Sequence, residues 1–116
     1  MKRVSLDCGL VYLENYPFAN IYCAVYRKDL TGKQEYSWNP QECVTVEQAI
    51  DAYTKESAYM EFAEEYKGRI KPGFYADLEI LDTDIFTCDP MQIINILPEL
   101  VMVGGEIVLR DKVYLK

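Results

Sequence analysis

The sequence predicts an α+β domain, in which helices pack on a small antiparallel sheet. Three observations carry that reading. Apolar residues recur at helical spacing from Pro17 to Lys28 and again from Thr45 to Tyr66. After Pro72-Gly73 the period becomes that of strands, in Ala76–Leu81 and in Leu100–Leu109. Gly104-Gly105 divides the second of these runs as a hairpin tip does, because glycine takes positive φ without steric cost.

Lys2 to Leu6 is β-branched and apolar, so a short strand is expected there, ending at Asp7. Asp7-Cys8-Gly9 breaks it, Leu10 to Leu13 renews the apolar run, and Glu14-Asn15-Tyr16-Pro17 signals a turn. Asn15 is placed to cap a helix with Pro17 in its first turn. Phe18, Ile21, Tyr22 and Val25 give that helix one apolar face, over Pro17–Lys28. Arg27 and Lys28 then stand at its C-terminal end, where the helix dipole favours cations.

Asp29 to Cys43 reads as a polar loop, punctuated by Thr31-Gly32 and Asn39-Pro40, with Trp38 expected to anchor it to the core. Thr45 and Gln48 form a capping box, each side chain placed to serve the other's backbone N–H. Val46, Ala49, Ile50 and Tyr53 follow as an apolar stripe. A second helical stretch carries Tyr59, Phe62, Ala63 and Tyr66 on one face, with Gly68 expected as its left-handed cap. Glu61, Glu64 and Glu65 read as a solvated face and not as a metal cluster, since no histidine accompanies them.

Pro72-Gly73 is a turn pair. Asp89-Pro90-Met91-Gln92 has a cap, an N1 proline and an N3 glutamine in order, so a short helix follows. Val113–Leu115 is a candidate last strand. Tyr53, Tyr59, Phe62, Ile80 and Val108 are the expected core. The ten tyrosines suggest a partly polar core or an interface.

A chain of 116 residues suffices for one domain with a modest core, and 50% hydrophobic with 27% charged residues is a globular composition. A net charge of −7 repels phosphates, so neither nucleic acid nor an anionic membrane is an expected partner. No apolar run approaches the ~20 residues of a membrane span. The N-terminal MKRVSLDCGLVYL lacks a long apolar core and a small-residue cleavage site, so a cytoplasmic protein is expected. Four cysteines stand far apart with no CxxC pair, which reads as reduced buried thiols; a zinc site or a disulfide is the alternative. Histidine is absent altogether, which removes the commonest general base and the commonest metal ligand together.

From Val44 to Leu109 the chain carries a succession of short motifs. The helix pattern T-x-E-x-A with a following Y-T is present as Thr45, Glu47, Ala49, Tyr53 and Thr54. Ala58-Tyr59 and Glu64-Glu65 follow, and then the run Lys67-Gly68-Arg69-Ile70-Lys71-Pro72-Gly73-Phe74-Tyr75-Ala76-Asp77. The terminal V-x-x-G-G-x-x-V matches Val101, Gly104, Gly105 and Val108. With these motifs the segment Val44 to Leu109 resembles the C-terminal segment of amidohydrolase family 3, which includes N-substituted formamide deformylase-like enzymes; upstream the likeness is looser, through Asn15, Pro17, Phe18, Ala24 to Lys28, and Trp38-Asn39-Pro40.

The resemblance implies a fragment of a (β/α)8-barrel amidohydrolase, its last strand and helices, joined to C-terminal strands of an accessory β-sandwich. On that basis residues 1–116 form a single domain. Residues 1–44 would be a remnant of the last barrel strand and helix with a loop, 45–68 a helical pair, and 69–116 accessory strands with the hairpin. Asp7 falls where the family places a metal-associated, water-activating aspartate, although Leu6 and Gly9 depart from the usual Ser/Thr and Pro around it. Complete relatives hold a divalent metal such as zinc through histidines that this chain lacks. A catalytic zinc usually takes three protein ligands, so Asp7 alone does not hold one, and no cofactor is expected in this chain.

Three readings of function follow. The first is a truncated amidohydrolase-like domain, inactive alone as a hydrolase of non-peptide C–N bonds. The second is an interaction module that self-associates into a homo-oligomer through its sheet edge or completes a complementary polypeptide, because lost strands leave unpaired edges and apolar faces. The third is an enzyme with a site of its own at Asp7 with Cys8 or tyrosines. Cys8 would lack a histidine to activate it.

Overall fold

The computed structural model describes residues 17–110 and the backbone of 113–114. The strand expected at Lys2–Leu6, the apolar run Leu10–Leu13, the Asn15 cap and Asp7 lie outside the described residues. The chain is α+β. Its helices come first, α1 (Pro17–Tyr26), α2 (Val46–Tyr53) and α3 (Lys55–Met60), and its strands follow, β1 (Leu78–Leu81), β2 (Pro98–Val103), β3 (Glu106–Arg110) and β4 (Val113–Tyr114). Two 3-10 helices, Pro40–Glu42 and Pro90–Asn95, sit in the connections. No helix of the described residues is long and apolar enough to cross a membrane.

The described residues gather into two compact units. One draws on residues 17–50 and 85–95, the other on residues 51–84 and 96–110 with the backbone of 113–114.

In the first unit α1 has the expected apolar face. Phe18, Ala19, Ile21, Tyr22 and Ala24 are buried, and the helix packs on the 3-10 helix Pro90–Asn95. Ile93 of that 3-10 helix is fully buried. Burying a side chain of that size contributes about 2 kcal/mol. The 3-10 helix starts as its sequence predicts: the Asp89 N–H donates to Gln92 Oε1 (3.1 Å) and the Gln92 N–H to the Asp89 carbonyl (2.9 Å).

α1 ends two residues sooner than its apolar spacing predicts. Arg27 adopts φ 52, a left-handed conformation, so Arg27 and Lys28 lie beyond the last helical turn. Two later hydrogen bonds hold this end: Trp38 N–H to the Arg27 carbonyl (2.8 Å) and Val44 N–H to the Ala24 carbonyl (3.2 Å). The capping box at α2 forms as expected. The Thr45 N–H donates to Gln48 Oε1 (2.9 Å), and the Gln48 N–H to Thr45 Oγ1 (3.1 Å).

In the second unit α3 is shorter than predicted and does not end at Gly68. Its last turn closes at Phe62, which has φ 59. The Phe62 N–H donates to the Tyr59 carbonyl (3.0 Å) and the Ala63 N–H to the Ala58 carbonyl (2.8 Å). That hydrogen-bond pair is a Schellman motif with phenylalanine where glycine is usual. The break rotates everything after Met60 off the predicted apolar face.

The expected core is corrected accordingly. Tyr53, Tyr59 and Ile80 are exposed, and Phe62 is 89% exposed; Val108 is half-buried. Among the described residues of this unit, the buried side chains are Ala58, Ala63, Ile96 and Leu109.

The sheet is antiparallel with the sequential order β1-β2-β3-β4. Glu79 pairs with Val101, and Val101 pairs in turn with Leu109. The register shifts between Ile80 and Leu81 and again between Val101 and Met102, where bulges strengthen the local twist. Val103 pairs with Glu106 across Gly104 (φ 58) and Gly105 (φ 84), the positive pair that a tight two-residue hairpin requires.

Candidate functional site

The resemblance motifs carry the sequence's claim to a site, so their geometry decides what they do. Lys71-Pro72-Gly73-Phe74 forms a turn closed by the Phe74 N–H on the Lys71 carbonyl (3.0 Å), with Gly73 at φ 86. Proline first and positive-φ glycine second is the type II arrangement. The turn returns the chain on itself, so that the Tyr75 N–H reaches the Tyr66 carbonyl (2.8 Å) and the two rings meet edge to face at 5.4 Å.

Gly68 takes φ 90 against α3. A Cβ there would lie 2.6 Å from the Ala58 Cβ and 3.1 Å from the Thr54 carbonyl oxygen. Its role is close approach, since no other residue fits.

Asp77 joins two motifs that are far apart in sequence. Its Oδ1 accepts the Gly104 N–H at 2.7 Å, and the neighbouring Ala76 carbonyl accepts the Gly105 N–H at 3.1 Å. The aspartate therefore caps the hairpin tip. A similar clasp closes the other end of the β1–β2 pair: Asp82 Oδ1 accepts the Leu97 N–H (3.1 Å), and the Asp82 N–H donates to the Leu97 carbonyl (3.0 Å). Sequence reasoning missed both clasps. An aspartate just before or after a strand was the signal available.

Two further acidic groups, Glu61 and Asp29, are also engaged locally. Glu61 pairs with Lys67, whose ammonium that hydrogen bond pushes above the ordinary lysine range. Glu64 is half-buried, with one carboxylate oxygen turned inward and no hydrogen-bond partner, so the three glutamates are not one solvated face. Asp29 accepts from the Thr31 hydroxyl (2.6 Å) and N–H (3.0 Å), and these bonds hold its carboxyl below the usual carboxylate range. Among the described residues no three His, Cys, Asp or Glu side chains are placed to hold a metal ion.

Trp38 does not anchor its loop to the core. It is 66% exposed, and the Arg27 guanidinium lies over its ring at 4.6 Å. The loop is instead laced by backbone and amide contacts: Gln34 Nε2 donates to the Tyr36 carbonyl (2.7 Å), and Gln34 Oε1 accepts the Asp29 N–H (2.9 Å). Cys23, Cys43 and Cys88 carry reduced thiols; Cys43 is exposed, against the expectation of burial, and the other two are half-buried. Cys8, like Asp7, lies outside the described residues.

Comparison with known proteins bears on these motifs directly. The sequence profile of the amidohydrolase family matches residues 16–109. YtcJ of Bacillus subtilis (strain 168), named as a presumed amidohydrolase, is 35% identical over 92 residues, which are 79% of this chain. The chain spans 17% of the length of that relative. No solved structure matches the chain significantly. The match runs through every clasp and turn described above, and the chain belongs to the amidohydrolase family.

Proposed function

We propose that these residues are an accessory segment of the metal-dependent amidohydrolase architecture and do not hydrolyse amides unaided. In this reading residues 1–44 are the remnant of the last barrel strand and helix with a loop, 45–68 the helical pair, and 69–116 the strands supplied to an accessory sandwich. One observation carries the reading: the motif residues are spent on structure. Asp77 caps Gly104, and Gly68 makes room for Ala58. A chain without imidazole also lacks the usual means of gripping a catalytic zinc.

Asp7 remains the candidate for water activation that the resemblance supplies. The test is metal analysis of the purified chain, paired with turnover of N-formyl and N-acyl amines, beside an Asp7→Asn control. The expected result is no stoichiometric zinc, nickel or iron and no turnover. Bound metal or hydrolysis that disappears in Asp7→Asn would overturn the proposal.

A second reading, that the segment completes another polypeptide, draws on the exposed apolar side chains of the second unit. Apolar surface of that kind marks protein interfaces.

A further inference from the structure

No further inference is drawn: the strongest candidate, the outer edge of β1 (Leu78–Leu81), where Glu79 shares a sheet face with Val101 and the buried Leu109, carries nothing because nothing in the structure shows what covers it.

Discussion

Arg27 and Trp38 hold each other by three contacts. The Trp38 N–H donates to the Arg27 carbonyl (2.8 Å), Arg27 Nε donates to the Trp38 carbonyl (3.1 Å), and the guanidinium covers the indole at 4.6 Å. The left-handed φ of Arg27 turns both its carbonyl and its side chain toward the loop. The polar loop that Trp38 was expected to pin to the core is thereby fastened to the end of α1 instead. In a double-mutant cycle with Arg27→Ala and Trp38→Ala, urea unfolding should show a coupling of about 0.5–1 kcal/mol. Amide exchange at position 38 should rise in both single variants.

Asp77 caps a hairpin tip from outside the hairpin. Asp77→Ala leaves the Gly104 N–H unserved and should cost about 1–2 kcal/mol in urea unfolding. Asp77→Asn keeps a side-chain acceptor, so it should lose less. Faster exchange at Gly104 in the alanine variant would locate the damage at the tip.

Gly68 and Gly73 share a positive φ but not a neighbourhood. At Gly68 a Cβ meets Ala58 at 2.6 Å, whereas at Gly73 nothing lies within 4 Å. Gly73→Ala should therefore cost only the backbone term, about 1 kcal/mol, and Gly68→Ala about 2 kcal/mol or more. Equal costs in thermal unfolding would show that packing against α3 is slack.

Glu79 gives the fold a pH dependence of known sign. It is exposed by area, yet the strands beside it strip enough water to push its carboxyl above the ordinary glutamate value. The folded state thus binds this proton more readily than the unfolded chain does. Its contribution is present below the unfolded value and is lost as pH rises through the folded one. Glu79→Gln should match the wild type in acid and exceed it at neutral pH, as read by urea midpoints across pH 3.5 to about 7.

What the sequence revealed were the elements set by local chemistry. Thr45 with Gln48, Asp89 with Gln92, and Gly104-Gly105 each bond within four residues, so residue type and spacing suffice. The α+β class followed from them. The core did not. Periodicity was extended through Glu61 and Phe62, because the usual sign of a helix end is glycine and here the end is a phenylalanine. Once the helix stops there, Tyr59, Phe62 and Tyr66 no longer share a face. The buried positions fall to Ala58 and Ala63, small residues that permit backbone approach and carry little hydrophobic signal. The Asp77 and Asp82 clasps escaped for another reason: each spans a sequence gap that no local pattern records.

The 3-10 helix Pro90–Asn95 lies in the chain between β1 and β2, yet it belongs with α1. Vectorial synthesis therefore cannot finish the first unit before starting the second. Among the described elements, the 3-10 helix on which α1 packs is complete only once residue 95 has emerged, and β1 is made before its partner β2. Nascent chains of this protein should pass through a window of chaperone dependence that closes only when the hairpin has been translated.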